Sequence, residues 1–295
     1  MKISVVIPTL GKRELLERCL EGIEANSFPP HEIFIVGLTG EMRKQIRPAL
    51  LNKTHFINLR TRGASQARNL GIKKASGEII AFLDDDCFPD QDWLSQIAYL
   101  FEKTPLTSLC GQVLSSTGID PPSKKIGQPP LAVWLGKEGK IFQGLNNPWL
   151  IGGTGNLAVT RELFPKVGYF DENLGPGTLF KSSEDADFIY RILKSGIPVL
   201  YSPAVKVRHW GWRSEKENLR LRLDYGIGMG AMLLKHASKG DKFARELLRL
   251  KIIEHLKQCK DGLSLNYPEL LKEGFPYCCG IVTGLLLASI YNLKQ

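Results

Sequence analysis

The sequence lacks the features that identify several classes of protein. None of its six cysteines stands in a Cys-x-x-Cys spacing or in a His/Cys cluster, which argues against zinc. The chain shows no charged-then-apolar signal segment before its first apolar run, and no internal repeat. The turn at residues 9–12 holds one glycine, too few for the phosphate loop of a nucleotidyltransferase. We therefore expect a cytoplasmic protein with reduced thiols.

Positive charge is the main compositional bias. The 295 residues include 39 Lys and Arg against 30 Asp and Glu, a net charge of +9, and 43% are hydrophobic. This composition predicts a globular protein with anionic partners, such as nucleotide phosphates or acidic lipids. Nucleic acid is not an expected partner, because the basic residues concentrate in the C-terminal part without a recognition motif.

Short apolar runs alternate with helical patterns over the first two hundred residues. Several runs are β-branched and apolar on both faces, as buried parallel strands are. The alternation predicts an α/β domain with a doubly wound, mostly parallel sheet, which binds ligands at the carboxyl ends of its strands. The predicted strands are residues 3–7, 33–36, 55–59, 79–83, 108–113, 156–160 and 198–201, and the predicted helices are residues 12–25, 41–50, 65–75, 91–102 and 184–195.

Two regions depart from this alternation. Residues 115–148 contain two Pro-Pro pairs and several glycines, and they predict a loop insertion over the sheet, either an acceptor-binding lid or a surface excursion. Residues 213–295 read as a helical extension of the domain formed by residues 1–212. Within the extension, residues 216–261 hold eleven basic against six acidic side chains, with apolar residues at helical steps.

The last apolar segment, residues 275–293, carries no charge and contains Gly280-x-x-x-Gly284. Nineteen residues are just long enough to span a bilayer, and small residues at this spacing allow close helix packing. A buried C-terminal helix is the alternative, and Pro276 and Asn292 weaken a spanning interpretation. We expect peripheral association with the inner face of the cytoplasmic membrane through a basic amphipathic element.

The strongest chemical signal is Asp84-Asp85-Asp86, directly after the predicted strand at residues 79–83. A divalent cation would relieve the repulsion between these carboxylates, and oxygen ligands suit Mg²⁺ or Mn²⁺. If the chain stays extended, Asp84 and Asp86 point to one side and face the ligand. An acidic turn that caps the following helix is the structural alternative.

Three further positions are candidates for the same site. Ser182-Ser183-Glu184-Asp185 opens a helix, where it serves either as a cap or as a source of a general base that the helix dipole keeps ionised. His209 could supply a nitrogen ligand to the metal. Arg68 suits a diphosphate, the alternative being a surface arginine in a basic protein.

The motifs, and their order along the chain, resemble those of glycosyltransferase family 2, whose members have the GT-A fold, a nucleotide-binding α/β/α sandwich. The resemblance spans residues 3 to about 210, and an ordered set is far more specific than any one motif. The matching segments are residues 4–9, 63–71, 77–86, 152–156, 170–172, 175–177, 184–185 and 203–209.

The resemblance implies an inverting, metal-dependent glycosyltransferase. It would move a sugar from a nucleotide-diphosphate donor to a hydroxyl acceptor, lipid-linked or saccharide, in making a glycolipid or cell-surface polysaccharide precursor. Asp185 would be the catalytic base with Glu184 beside it, and Mn²⁺ or Mg²⁺ would be the cofactor. The implied metal ligands are Asp84, Asp86 and His209, and the implied substrate-binding residues are Pro8, Thr9, Arg68, Asp84, Asp85, Asn156 and, near the acceptor, Gly175.

One departure from the family concerns the nucleotide base. After the second strand the family usually has an Asp-Asp-Gly-Ser type run that helps to read the base, and here residues 37–40 are Gly-Leu-Thr-Gly. The sequence therefore does not predict which base is bound. The missing acids favour the alternative of a degenerate, non-catalytic scaffold or sensor for nucleotide sugars, whereas Asp86, Asp185 and His209 favour an enzyme.

Overall fold

A computed structural model describes residues 1–11, 13–37, 52–116 and 134–292. The predicted helix at residues 41–50 and the first part of the predicted insertion lie outside these residues. The chain forms two compact units: residues 1–170 with 185–212, and residues 171–184 with 213–295. Residues 171–184, which the sequence analysis counted with the α/β domain, thus belong to the second, helical unit.

The first unit is built on one sheet, which has nine strands among the described residues. The strands are β1 (Ile3–Thr9), β2 (Glu32–Gly37), β3 (Thr54–Asn58), β4 (Ile79–Phe82), β5 (Cys87–Pro89), β6 (Ser108–Ser115), β7 (Lys140–Phe142), β8 (Leu157–Thr160) and β9 (Val199–His209). Their order is β3-β2-β1-β4-β8-β6-β9-β5, with β7 also beside β9. Strands β1 to β4, β6 and β9 share one direction, and β5, β7 and β8 oppose it.

Helices cover both faces of the sheet because successive strand residues point to opposite sides. Val5 and Ile7 of β1 contribute to one core and Val6 to the other. The predicted α/β sandwich is therefore confirmed. The helices of this unit are α1 (Arg13–Glu24) and α3 (Trp93–Lys103) in the first layer, and α2 (Ala64–Lys74), α4 (Phe164–Val167) and α5 (Glu184–Lys194) in the second. Helix α5 belongs to this unit from its second residue, Asp185, onward.

Two strands were not predicted. Strands β5 and β7 have three residues each and both pair with β9. Strand β9 is also longer than expected, since it continues past an irregularity between Ser202 and Lys206 to His209. The described part of residues 115–148, predicted as a loop insertion, includes strand β7 and an antiparallel bridge between Trp134 and Val113.

The second unit contains three long helices, α6 (Glu215–Ala237), α7 (Lys242–Ser264) and α8 (Pro268–Asn292). The glycines predicted to allow close packing do so: a Cβ on Gly280 would clash with the Leu223 carbonyl oxygen, and one on Gly284 would clash with that of Ile227. By length and composition alone, α8 could cross a membrane. Its glycine face nevertheless packs on α6.

Candidate active site

Topology brings the candidate residues to one edge of the sheet. Strands β1, β4 and β9 all end there, because they run in the same direction. Strand β8 runs the opposite way, with Leu157 opposite Phe82, so the turn that precedes β8 lies at this same edge. The acidic triplet, the glycine-rich turn at residues 152–156 and His209 therefore meet at the carboxyl ends of the strands, where such sheets bind ligands.

The acidic triplet forms a turn and does not continue the strand. Strand β4 ends at Phe82, and the amide of Cys87 donates to the Asp84 carbonyl at 3.0 Å. The extended geometry considered for the triplet is not adopted. Asp84 instead accepts a hydrogen bond from Nη2 of Arg68 at 2.7 Å. Arg68 is not a surface arginine, since only 3% of its side chain is exposed, and its charge neutralises one of the three carboxylates.

The other two carboxylates have separate partners. The Thr9 hydroxyl at the end of β1 donates to Oδ2 of Asp85 at 2.6 Å. Asp86 Oδ2 lies 3.2 Å from Nε2 of His209. The ladder between β5 and β9 explains this last contact, because it pairs His209 with Cys87, the residue that follows Asp86.

Asp86 and His209 fit the requirements of a divalent cation. The partly exposed Asp86 carboxylate and the largely buried His209 imidazole lie side by side, and Mg²⁺ is usually held by one or two carboxylates together with substrate phosphates. Asp84 is not part of this pair, since its Oδ1 is bound to Arg68. Within the described ranges no three His, Cys, Asp or Glu side chains form a metal-binding group, so the predicted three-residue shell is not formed there.

Asp185 lies in the first turn of α5, where its Oδ1 accepts from the Ala186 amide at 2.7 Å. The amide and the positive end of the helix dipole both lie next to this carboxylate, a position that suits an acidic side chain. Asp185 is partly exposed, whereas Glu184 is buried. Of the two predicted catalytic acids, Asp185 is therefore the more accessible to solvent.

The glycine-rich turn joins the two acidic groups. A Cβ on Gly153 would stand 2.7 Å from Oδ2 of Asp185, and a Cβ on Gly155 would stand 3.3 Å from Oδ2 of Asp84. Two glycines that are two positions apart thus lie beside the two carboxylates. The predicted catalytic base and the acidic triplet lie at one site.

Asn156, at the end of this turn, fixes the turn to the protein core. Its side-chain amide donates to the carbonyls of Gln112 and Val205, both at 2.9 Å, and accepts from Trp93 Nε1 at 2.9 Å. The side chain is buried. Any contact of this turn with the predicted donor sugar therefore falls to the glycines and the backbone and not to the Asn156 amide.

Two other predicted residues offer little side-chain chemistry. Pro8 is a buried residue of β1, opposite Val36 of β2. Gly175 belongs to the second unit and has a φ of 105°, which favours glycine. Its amide donates to the Ser182 carbonyl at 3.2 Å.

Buried thiols lie behind the carboxylates. Burial raises the pKa of the Cys110 thiol, and the charge of Asp185 raises it further. Burial and the carboxylates of the triplet raise the pKa values of Cys19 and Cys87 in the same way. These thiols stay protonated and do not act as nucleophiles.

On the α1 side, a cavity of about 670 Å³ borders Asp86 and is large enough for a small ligand.

Sequence reasoning missed Trp134, whose ring contacts the same glycine as Asp185. A Cβ on Gly153 would stand 2.7 Å from Cη2 of Trp134. Trp134 lies within the predicted loop insertion, where a single aromatic residue carries little information. The signal available was a tryptophan in a segment otherwise rich in glycine, proline and lysine.

The chain is similar in sequence to a known protein family and to individual proteins of known name. Residues 4–168 match the family model described as Glycosyl transferase family 2. The Glucosyl-dolichyl phosphate glucuronosyltransferase of Haloferax volcanii is 24% identical over 334 aligned positions, which cover 99% of this chain and 100% of the relative. Glycosyltransferase AglE of the same organism is 35% identical over 101 residues, which cover 32% of this chain and only 33% of that relative.

Solved structures share the fold. The mannosyltransferase PcManGT from Pyrobaculum calidifontis, in complex with GDP-Man and Mn²⁺, has a TM-score of 0.61 at 15% identity over 96% of this chain and 87% of that chain. TarS 1-349 of S. aureus in complex with UDP-GlcNAc has a TM-score of 0.55 at 17% identity over 100% of this chain and 93% of that chain. The predicted GT-A fold is confirmed.

Proposed function

Because the chain belongs to glycosyl transferase family 2, we propose that it is an inverting glycosyltransferase that moves a sugar from a nucleotide-diphosphate donor to an acceptor hydroxyl. One observation carries this proposal. The glycine-rich turn at residues 152–156 lies beside both carboxylates, because a Cβ added at Gly153 would meet Asp185 and one added at Gly155 would approach Asp84. Because the proposed base and the proposed donor-binding carboxylates lie beside one turn, the base can act on the acceptor while the carboxylates bind the donor in the same reaction.

Asp185 is the proposed general base. Its carboxylate takes the proton of the acceptor hydroxyl while the hydroxyl oxygen attacks the anomeric carbon. The new bond from that carbon to oxygen forms as the bond to the diphosphate breaks on the opposite face, so the configuration inverts. The Ala186 amide keeps the carboxylate in place at the helix N-terminus.

Asp86 and His209 would hold Mn²⁺ or Mg²⁺ together with the donor diphosphate. A metal ion bound there would neutralise the charge of the leaving nucleoside diphosphate. The complex of the mannosyltransferase neighbour with GDP-Man and Mn²⁺ supports this assignment. Arg68 acts indirectly in this proposal, because its guanidinium balances the charge of Asp84, while Asp86, beside His209, is the proposed carboxylate ligand of the metal.

The proposed acceptor is a sugar hydroxyl on a lipid-linked saccharide at the inner membrane surface. The Haloferax relative that aligns over its whole length is named for a glucosyl-dolichyl phosphate acceptor. Helix α7 supports membrane contact, since Leu250, Ile253 and Leu256 are about half exposed. Lys257 and Lys260 lie seven residues after Leu250 and Ile253, on the same side of the helix. A face with apolar and basic residues suits an anionic lipid surface.

Two variants test the proposed roles separately. Asp185→Asn should lower sugar transfer by about 10²–10³-fold and retain thermal stabilisation by nucleotide sugar with Mn²⁺. Asp86→Ala should lose both transfer and the Mn²⁺-dependent part of that stabilisation. The measurements are product formation and melting temperature across a panel of UDP-, GDP- and dTDP-sugars. Near-normal transfer by Asp185→Asn would refute the base assignment.

Glu162→Gln is the matched control for these variants. Glu162 is exposed and follows Thr160, which pairs with Ile79 at the opposite end of β4. This variant should transfer sugar at the wild-type rate.

The second candidate function is a non-catalytic scaffold or sensor for nucleotide sugars, which the absence of acids at residues 37–40 favours. It predicts thermal stabilisation by a nucleotide sugar without turnover. Metal-dependent hydrolysis or transfer above the rate without enzyme would exclude it.

A further inference from the structure

Trp134 joins strand β6 through its backbone, and its ring lies beside the glycine next to the proposed catalytic base. Its backbone amide and carbonyl exchange hydrogen bonds with Val113 of β6 at 3.0 and 3.1 Å. Its indole Nε1 donates to the carbonyl of Trp149 at 3.1 Å. The chain then reaches Gly153, where the Trp134 ring packs. Trp134 is therefore held in place both by its backbone and by the N–H group of its indole ring.

Gly153 brings the indole and the Asp185 carboxylate together. A Cβ on this glycine would stand 2.7 Å from Cη2 of Trp134 and 2.7 Å from Oδ2 of Asp185. Its φ of −154° is extended backbone that any residue can adopt. Glycine is therefore required here for space, because a side chain would displace the ring, the carboxylate or both.

We infer that Trp134 forms the stacking surface of the acceptor subsite and that the acceptor group at this surface is a pyranose ring. This inference rests on the proposed transfer reaction and names the acceptor's chemistry at that same site. The C–H-rich face of a sugar is apolar, and the negative face of an aromatic ring attracts C–H groups. A sugar stacked on the half-buried indole presents the hydroxyls of its rim to the adjacent Asp185.

The polar contacts at this position favour a neutral sugar over a phosphate as the attacking group. Trp134 Nε1 is already bonded to Trp149, so the ring offers an apolar surface and no donor for an anion. Asp185 would repel a phosphate acceptor, because two negative charges would then lie side by side. The attacking oxygen is therefore a sugar hydroxyl, and a lipid phosphate, where present, lies on the far side of that sugar.

The test uses the full-length chain, the nucleotide sugar that stabilises it most, and octyl glycosides of glucose, galactose, mannose and N-acetylglucosamine as acceptors. Trp134→Leu should raise the KM for the acceptor about tenfold, the size expected for loss of one aromatic stacking contact. The KM for the donor should change less than twofold. Trp134→Phe should recover most of the acceptor affinity, since it keeps an aromatic face.

Tyr99→Leu is the matched control, because Tyr99 is an exposed aromatic residue of α3 in the first helical layer. It should leave both KM values unchanged. Equal increases in donor and acceptor KM in Trp134→Leu, or no recovery in Trp134→Phe, would overturn the inference and indicate a purely structural ring. Transfer to a polyprenyl phosphate but to no glycoside would also overturn it, while the proposed function would stand. Failure of that function would instead appear as no donor turnover by the wild type.

Discussion

At the scale of single residues, the ion pair of Arg68 with Asp84 neutralises one of the three carboxylates of the acidic triplet. Arg68 is almost fully buried and Asp84 is 33% exposed. Replacing Arg68 with Met should lower the free energy of unfolding by about 2–3 kcal/mol, below the usual cost of breaking a fully buried pair because water reaches Asp84. Urea unfolding of Arg68→Met, Asp84→Asn and the double variant measures the coupling. Strictly additive effects would show that the pair contributes no stability.

The sequence located the charged groups of the site better than it located their partners. Asp84, Asp86 and Asp185 stand at a strand end or a helix start, where local patterns are informative. Which carboxylate meets Arg68 depends on the packing of α2 against β1 and β2, and local patterns do not encode such a contact. The buried role of Asn156 is hidden for the same reason, since its partners come from β6, β9 and α3.

At the scale of helices, we expect the contact between α7 and α8 to make the stability of the second unit depend on pH. The His255 ring stacks on Tyr277 with centroids 4.4 Å apart, and Nδ1 lies 2.8 Å from the Gln258 side chain. Burial lowers the pKa of His255 below its ordinary value. The unfolded chain therefore takes up the proton first as pH falls, so the unfolding free energy should fall below about pH 6.5.

Substitution of His255 tests this pH dependence. His255→Phe and His255→Gln remove the titrating group, and each should flatten the change in urea midpoint between about pH 7.5 and 5.5. A wild-type slope retained in both variants would show that other groups cause it.

The elements that sequence reasoning found are those whose local composition determines them. Strands β1, β2 and β4 are apolar on both faces, and burial on both sides requires this. The three-residue strands β5 and β7 exist only because β9 lies beside them. Such short strands form only through pairing with a distant segment. They contain no apolar run of ordinary strand length, so the sequence pattern could not predict them.

For the whole molecule, the net charge of +9 and the exposed apolar residues on the helices both favour binding to an anionic membrane surface. Exposed apolar side chains occur at four-residue steps on α8, at Val282, Leu286 and Ile290. Removing residues 275–295 would be a poor test of membrane binding, because Gly280 and Gly284 pack on α6 and the truncation would expose that core. Substitutions on the exposed face of α7 avoid this problem.

We expect the chain to bind vesicles that contain anionic lipid and to release them as salt rises, since screening weakens charge attraction. Changing Leu250, Ile253 and Leu256 together to Ser should weaken binding at least tenfold, because apolar area no longer enters the interface. Co-sedimentation with vesicles measures this, and Leu10→Ser, an exposed apolar position in the first unit, is the control. Equal binding to neutral vesicles, or full binding by the triple variant, would show that α7 is not the membrane contact.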